Sequence, residues 1–364
     1  MTTETGSSRD APEETSESGG DGPSREPGHG AASEPGHGTT RESAPEATHH
    51  PGSGGESRSR AWLMAARPQT LPAGASPVVV GTGLAIHDSV FAPLAAVFAL
   101  AGALLLQVGT NLANDYSDAV RGTDPADREG FTRVTAAGIL EPVAVRRAAA
   151  VTYGLAILVG CYLVYLGGLP IVIVGLASVV AGVTYTGGPL PYGYRGLGDL
   201  FVFVFFGLVA VAGTYYVQAV VHLADPLPLG IPPGTVTGAA VAAGLPAAGL
   251  ATAILVVNNV RDRETDAAAG KRTLAVVLGY RVSRLEWTAL VGLAYVVPVG
   301  FWLAGYSPVV LLPLATLPLA GSVGRTVWTR TDGDALNPAL ERTGKLLFAH
   351  STLFAVGLAG PGLL

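Results

Sequence analysis

The sequence predicts an all-α integral membrane protein, a bundle of nine transmembrane helices preceded by a polar N-terminal tail. Only 13% of the 364 residues are charged and the mean hydropathy is +0.42, whereas soluble domains are about one quarter charged. Long apolar runs recur from residue 60 onward. The Lys and Arg residues also fall on one side of the predicted membrane, as expected of a multi-pass protein.

The N-terminal segment, residues 1–57, is predicted to be a disordered, low-complexity cytoplasmic tail. It is rich in Gly, Ser, Glu, Pro and Thr and has almost no large apolar side chain. Such a segment buries too little apolar surface to offset the entropy lost on ordering. It also lacks the apolar core of a signal peptide. Residues 60–364 are predicted to form one transmembrane domain, in which the single cysteine, Cys161, excludes an intrachain disulfide.

Nine apolar runs define the predicted helices, since a helix needs about 20 apolar residues to cross a bilayer. The runs are 68–86, 90–112, 147–166, 169–186, 200–222, 235–257, 287–304, 307–324 and 345–362. Gly and Pro within them do not argue against helices, because membrane helices tolerate both.

The distribution of charge predicts the orientation. All 22 Lys and Arg residues lie in the tail or in the connections predicted to be on the same side of the membrane as the tail. Residues at the edge of a span are counted here with the adjoining connection. By the positive-inside rule the tail is cytoplasmic and the C-terminus lies outside a cell membrane. Basic and acidic residues nearly balance after residue 60, so the sequence predicts no nucleic-acid partner.

Two clusters of Asn and Asp stand at the cytoplasmic ends of the second and sixth spans. The first has Asn114 and Asp118 four residues apart, and the second repeats this spacing in Asn258, Asp262 and Asp266. A four-residue spacing puts side chains on one face of a helix. The recurrence four spans apart indicates an internal repeat that contributes one oxygen-rich face from each half.

Oxygen ligands on two sides of a cavity are typical of a Mg²⁺ site, because Mg²⁺ binds few carboxylates and completes its shell with water and phosphate. The candidate ligands are Asn114, Asp115, Asp118, Asp124, Asn258, Asp262 and Asp266. Arg128 and Lys271 follow the two clusters and supply positive charge for a diphosphate. Metal and bases together stabilise a diphosphate as a leaving group.

A Gly- and Tyr-rich segment, residues 184–200, lies on the same face and is predicted to fold over the site. Tyr185, Tyr192 and Tyr194 have two interpretations. Their rings either stabilise a carbocation or stack on an aromatic acceptor, or they form a membrane-interface belt.

Two charged residues close that segment. Arg195 is assigned with the tyrosines to substrate binding. Asp199 is interpreted either as a catalytic base or as the N-cap of the fifth span.

These motifs resemble the UbiA superfamily of intramembrane aromatic prenyltransferases, whose two Asp-rich motifs end helices two and six of a nine-helix bundle. The resemblance covers about residues 60–362 and rests on "ARPQTLPAGASPVVVGTGLA", "NLANDYSDAVRGTD", "YTGGPLPYGYRGLGDL" and "NNVRDRETDAAAGKRTLAVVLG". "ARPQTLPA" and Asn258 favour the branch that acts on 1,4-dihydroxy-2-naphthoate in menaquinone synthesis. Asp124 departs from the superfamily pattern, since it stands six residues after Asp118 instead of four.

The resemblance implies an enzyme that transfers a polyprenyl group from polyprenyl diphosphate to 1,4-dihydroxy-2-naphthoate, giving demethylmenaquinone, diphosphate and CO₂. It implies that Mg²⁺ bound to the two motifs holds the diphosphate, with Asp118, Asp262, Asp266, Lys271, Tyr185 and Asp199 in catalytic roles. Asn111 joins the substrate-binding set. Arg67 has two interpretations, beside the naphthoate carboxylate or at the lipid headgroups.

Two other functions compete with this one. The acceptor of the same reaction is alternatively 4-hydroxybenzoate or homogentisate. A secondary transporter also has internal repeats and buried charges, but its site lies near the bilayer midplane, whereas these acids cluster at helix ends. The sequence leaves the prenyl chain length and the oligomeric state open.

Overall fold

The computed structural model describes residues 54–122 and 134–363. All regular structure in these residues is helical and no strand occurs among them, which confirms the predicted all-α class. Residues 1–53 of the predicted tail and two site candidates, Asp124 and Arg128, lie outside the described residues. Residues 54–57, predicted to be disordered, instead form the first turn of a helix.

The described residues contain eleven α-helices. They are α1 Gly54–Ala66, α2 Leu71–His87, α3 Pro93–Arg121, α4 Pro142–Thr184, α5 Gly198–Phe203, α6 Ala210–Leu223, α7 Gly238–Arg261, α8 Arg263–Ala268, α9 Leu274–Leu303, α10 Leu317–Thr329 and α11 Gly333–Leu363. Three 3₁₀ segments, Pro68–Thr70, Tyr192–Arg195 and Pro308–Thr316, and one π-helical turn, Val204–Val209, complete the described elements. The π turn joins α5 to α6 without a break.

Six segments of the described chain are long and apolar enough to cross a membrane. They are Pro93–Arg121, Pro142–Thr184, Gly198–Leu223, Gly238–Arg261, Leu274–Leu303 and Pro308–Thr329. Large apolar side chains point away from the protein along them: Leu158 is 67% exposed and Val296 is 66% exposed. Exposed apolar surface on this scale is what lipid contact requires, so the chain is a multi-pass membrane protein.

The long helix α4 contains the predicted runs 147–166 and 169–186 and is interrupted between them at Gly168. Gly168 has φ 60 and ψ −146, a left-handed conformation that favours glycine. Leu169 N donates a hydrogen bond to Pro228 O at 3.0 Å, so the following loop lies against the break. A Cβ atom on Gly168 would lie 1.9 Å from Pro228 O, so no other residue fits without a shift of the backbone.

Helix α7 is the buried centre of the domain. Its apolar window is 72% buried, whereas the other five candidate spans reach at most 33%. Alanine and glycine allow this burial because they let helix backbones approach closely. A Cβ on Gly207 would lie 2.1 Å from Ala248 Cβ, and one on Gly249 would lie 2.5 Å from Leu290 O. The central helix therefore holds its C-terminal end, which carries Asn258, in a closely packed environment.

Candidate functional site

A cavity of about 220 Å³ adjoins the C-terminal part of α7. Helices α2, α3, α5 and α11 also contribute to its walls. Its polar lining residues are Arg67, Thr70, Gln107, Asn114, Tyr185, Thr186, Asn258 and Arg261. The rest of the wall is apolar and includes Ala73, Val202 and Phe206. This combination suits a ligand with a charged head and an apolar body.

The end of α7 is organised by Arg261, which the sequence analysis did not single out. Its guanidinium donates to both carboxylate oxygens of Asp262, at 2.7 and 2.8 Å, and the side chain is only 1% exposed. It also donates to Asn258 Oδ1 at 2.8 Å and to Asn337 Oδ1 of α11 at 2.8 Å. One arginine thereby orients the amide and the carboxylate of the second motif.

The second motif is not one continuous helix, which corrects the expectation of a single helical face. α7 ends at Arg261, and Asp262 has φ −88 and ψ 4 before α8 begins. Asp262 N still donates to Asn258 O at 2.9 Å, and Asp266 N donates to Asp262 O at 2.8 Å. The four-residue hydrogen-bond spacing therefore persists across the break, while the chain direction changes.

The first motif lies at the end of α3 against the segment that follows α4. Asn114 Oδ1 accepts a hydrogen bond from Thr186 Oγ1 at 2.8 Å. Asp118 is 1% exposed and accepts a hydrogen bond from Tyr194 OH. α3 then stops at Gly122, whose φ of 64 is the left-handed C-cap conformation.

Tyr194 connects the two motifs. Besides its hydrogen bond to Asp118, its ring lies 5.0 Å from Lys271 Nζ, a cation–π distance. Lys271 Nζ in turn lies 3.2 Å from Asp266 Oδ1, and both side chains are buried. Arg272 N donates to Tyr194 O at 2.8 Å, which fixes the loop at this point. The structure thus brings four of the predicted site residues into one connected group.

The other two tyrosines of the segment, Tyr185 and Tyr192, are partly buried. Burial raises the pKa of Tyr185 above its usual range, and the negative charge of Asp199 adds to that rise. Burial also raises the pKa of Tyr192. The Tyr192 hydroxyl donates a hydrogen bond to Ala181 O at 2.8 Å, and its ring stacks on Phe201 with the ring centroids 4.1 Å apart. Both side chains therefore remain neutral at physiological pH, and Tyr185 lines the cavity.

Asp199 and Arg195 take different positions. Asp199 is buried in the first turn of α5, and its Oδ1 has no partner among the described residues. The N-cap of α5 is Leu197, so the interpretation of Asp199 as that cap is wrong. Arg195 is exposed, and it is not among the residues that line the cavity.

Asn111 and Asp115 face the junction between α1 and α2. Asn111 Nδ2 donates to Ala66 O at 2.9 Å and to Thr70 Oγ1 at 2.8 Å. The buried carboxylate of Asp115 accepts from the backbone N–H and the hydroxyl of Thr135 and lies 3.8 Å from Arg67 Nη2. The hydrogen-bond partners of Asp115 are thus distinct from those of Asp118.

The metal ligands predicted from sequence fall into four sets, of which Asp115, paired with Thr135 and near Arg67, is one. In residues 54–122 and 134–363, no three His, Cys, Asp or Glu side chains converge as a metal cluster. Asn114 and Asn258 line the same cavity, while Asp118, Asp262 and Asp266 are each held by a neighbouring Tyr, Arg or Lys. Asp124 lies in residues 123–133, which the structure does not describe.

Four polar cavity residues were missed by the sequence analysis: Thr70, Gln107, Thr186 and Arg261. Arg261 had a recognisable signal, since this arginine follows closely after a predicted span, residues 235–257, that has no charged residue. Gln107 had a weaker one, as a polar residue one helical turn before Asn111. Thr186 had none, because its role depends on an approach between α3 and a segment 72 residues away.

Comparisons with known proteins agree on one family. The UbiA prenyltransferase family matches residues 75–351. The 1,4-dihydroxy-2-naphthoate octaprenyltransferase of Escherichia coli is 39% identical over 312 residues, which cover 83% of this chain and 96% of that protein. The protein of the same description from Mycobacterium tuberculosis is 39% identical over 300 residues, or 82% of this chain and 96% of the relative. In structure, the chain is similar to a UbiA homolog from Archaeoglobus fulgidus bound to GPP and Mg²⁺, with a TM-score of 0.52. The two sequences are 15% identical, and the match covers 81% of this chain and 100% of that one.

Proposed function

The chain belongs to the UbiA prenyltransferase family, and from this premise we propose that it transfers a polyprenyl group from polyprenyl diphosphate to 1,4-dihydroxy-2-naphthoate. Relatives with this activity in their descriptions share 39% identity over nearly their whole length. The observation that carries the proposal is one cavity to which both motifs contribute, through Asn114 and Asn258. Tyr194 links Asp118 of the first motif to Lys271, the ion-pair partner of Asp266 in the second.

We infer nine crossings of the bilayer from the helices and the charge pattern. They are α2, α3, the two parts of α4, α5 with α6, α7, α9, the segment Pro308–Thr329, and α11. Because all Lys and Arg residues accumulate at one set of connections, both motifs and the N-terminus lie on the cytoplasmic side of a cell membrane. The apolar wall of the cavity allows the prenyl chain to extend toward the lipid.

The donor set fits Mg²⁺, since hard cations prefer oxygen ligands. Asn114 and Asn258 line the cavity with amide groups, and the carboxylates of Asp118 and Asp262 follow them four residues later in each motif. Asn114, Asp118, Asn258 and Asp262 would hold the ion. When bound, Mg²⁺ supplies charge that neutralises the diphosphate and makes it a better leaving group.

Two cationic side chains of the protein also interact with the diphosphate. Arg261 and Lys271 are buried beside the two motifs, where electrostatic interactions are stronger than in water. Their partners Asp262 and Asp266 hold the two cations in place before substrate binds. Positive charge that is already oriented stabilises the charge that develops on the diphosphate without costly rearrangement during the reaction.

The reaction releases two leaving groups, diphosphate and CO₂. The allylic C–O bond breaks with its electron pair passing to diphosphate, and a C–C bond forms at the ring carbon that bears the carboxylate. The C–CO₂ bond then breaks, CO₂ leaves, and its electron pair restores the aromatic ring. The product is the naphthalenediol, the reduced form of demethylmenaquinone. Since the attacked carbon carries no hydrogen, this step needs no base at that carbon.

A purified-enzyme assay tests this function. The protein in detergent or vesicles receives polyprenyl diphosphate, Mg²⁺ and one acceptor at a time. With 1,4-dihydroxy-2-naphthoate we expect prenylated naphthalenediol, CO₂ and diphosphate in equal amounts. Product from 4-hydroxybenzoate or homogentisate, together with none from the naphthoate, would contradict the proposal.

A further inference from the structure

The guanidinium of Arg261 covers three oxygen atoms that would bind Mg²⁺ in the second motif. Its Nε donates to Asp262 Oδ1 at 2.7 Å, and its Nη2 donates to Asp262 Oδ2 and to Asn258 Oδ1, both at 2.8 Å. The Asn258 amide is oriented for this contact, because a flipped amide would face the guanidinium with a donor. Every side-chain oxygen of Asn258 and Asp262 therefore already accepts a hydrogen bond from one protein cation.

Arg261 is also fixed from the side of α11. Its Nη1 donates to Asn337 Oδ1 at 2.8 Å. The side chains of Arg261 and Asp262 are 1% and 2% exposed, so water screens their charges little. A cation held this closely opposes the binding of a divalent cation to the same carboxylate, since like charges repel strongly in a buried site. Asp262 consequently binds a metal weakly for as long as Arg261 keeps this position.

The other carboxylates of the two motifs have partners of the same kind. Lys271 Nζ lies 3.2 Å from Asp266 Oδ1, and the Tyr194 hydroxyl donates to Asp118. Two of these three carboxylates thus hold a protein cation. A diphosphate carries several negative charges and many acceptor oxygens, so it attracts such cations more strongly than one carboxylate does.

Resting on the proposed function, we propose that Arg261 is a positioning residue that makes metal binding depend on the diphosphate. Arg261 lines the cavity together with Asn258. When a diphosphate reaches this cavity, Arg261 and Lys271 exchange their carboxylate partners for phosphate oxygens. The exchange frees the oxygens of Asn258 and Asp262 to act as metal ligands.

The exchange leaves no buried charge without a partner. Asp262 and Asp266 pass from the two protein cations to the metal, while the cations pass to the diphosphate. A buried carboxylate that lost its only partner would be strongly destabilising. Arg261 therefore also has a role before substrate arrives, because it stabilises the ionised form of Asp262 inside the protein. Its planar fork suits both partners, since it matches a carboxylate and a phosphate equally well.

Binding of Mn²⁺ tests the proposal without turnover. The protein in lipid nanodiscs is dialysed to equilibrium against Mn²⁺, with or without an unreactive prenyl thiodiphosphate, and a chamber without protein corrects for Mn²⁺ held by the analogue. Without the analogue, Arg261→Met should bind Mn²⁺ about tenfold or more tighter than the unmodified protein. With the analogue, the two affinities should differ by less than about threefold. The variant is the decisive comparison, because any metal that bridges protein and diphosphate binds better when both are present.

Arg263 provides the matched control. It follows Asp262 directly in sequence and carries the same charge, but it donates to Ala275 O at 3.0 Å and pairs with Glu264 at 2.5 Å. Arg263→Met should leave the Mn²⁺ affinity within about twofold of the unmodified protein, because a partly exposed charge is screened. Should Arg261→Met fail to fold, Arg261→Gln makes the same test with a neutral side chain that still forms hydrogen bonds.

Two results would overturn the proposal. One is an Arg261 variant that binds Mn²⁺ no tighter than the unmodified protein when the analogue is absent. The other is an equal gain of affinity in Arg263→Met, which would assign the effect to the general electrostatic field. Failure of the proposed function has a different signature, since the unmodified protein would then form no prenylated naphthalenediol. Failure of the exchange alone leaves that product intact.

Discussion

Arg261 hydrogen-bonds both carboxylate oxygens of Asp262, its immediate neighbour in sequence, at 2.7 and 2.8 Å. Adjacent residues of a regular helix project in different directions, so this bidentate pair forms because α7 ends between them. The pair is almost completely buried, and burying two charges is costly unless further hydrogen bonds compensate. Asn258 and Asn337 provide those bonds. The arrangement holds Asp262 in one orientation at the cavity.

Replacing Arg261 should reduce both turnover and stability. We expect Arg261→Met to lower kcat/KM by about 100-fold or more, since loss of one partner leaves a buried, unpaired carboxylate. Arg261→Lys keeps the charge but cannot reproduce the bidentate geometry, and should recover only part of the loss. Turnover is measured against Mg²⁺ concentration, with the unfolding temperature recorded in parallel.

The control for that variant is Arg284→Met. Arg284 donates to two backbone oxygens, Val327 O at 2.8 Å and Arg330 O at 3.0 Å, and does not line the cavity. Near-normal turnover is expected of it. Equal losses in the two variants would mean that Arg261 acts on the fold alone.

The carboxylates of the two motifs should be essential. Asp118→Ala and Asp262→Ala should abolish turnover while the protein still inserts and folds, because both remove an anionic oxygen that the substrate complex needs. Asp88→Ala is the matched control. Asp88 accepts a hydrogen bond from Tyr215 at 2.7 Å, as Asp118 does from Tyr194, but it is the C-cap of α2 and belongs to neither motif. Retained turnover in Asp262→Ala at saturating Mg²⁺ would disprove the metal-site assignment.

The two contacts of Tyr194 can be separated by substitution. Tyr194→Phe removes the hydrogen bond to Asp118 and keeps a ring over Lys271, so we expect kcat to fall by about three- to tenfold. Tyr194→Leu removes both contacts and should lose a further factor of about three to ten. Both are measured with saturating substrates. Identical kinetics of the Phe and Leu variants would show that the ring makes no contribution beside Lys271.

The break in α4 should not tolerate a side chain. Gly168→Ala combines a positive φ with a Cβ only 1.9 Å from Pro228 O, so we expect a loss of about 2 kcal/mol or more of stability. Unfolding temperature in detergent checks this. Gly160→Ala is the control, since a Cβ there meets nothing within 4 Å and the helix should be unaffected or slightly stabilised. A Gly168→Ala protein as stable as the control would contradict the role of this glycine.

The sequence alone determined the helical class, the apolar segments and the positions of the two motifs. These properties depend on local patterns, namely runs of apolar residues, the placement of charges and a four-residue spacing. Asn114, Asp118, Asn258 and Asp262 were selected on that basis, and the structure places both asparagines at one cavity.

Only the tertiary structure decided which partner each side chain has. Asp115 stands beside Asn114 in sequence, yet its carboxylate binds Thr135 and lies near Arg67, because neighbouring positions on a helix face different directions. Tyr194 meets Asp118 across 76 residues, and Gln107 meets Thr70 across 37. Such contacts depend on how closely separate helices pack, and spacing along one helix carries no information about the helix that lies opposite.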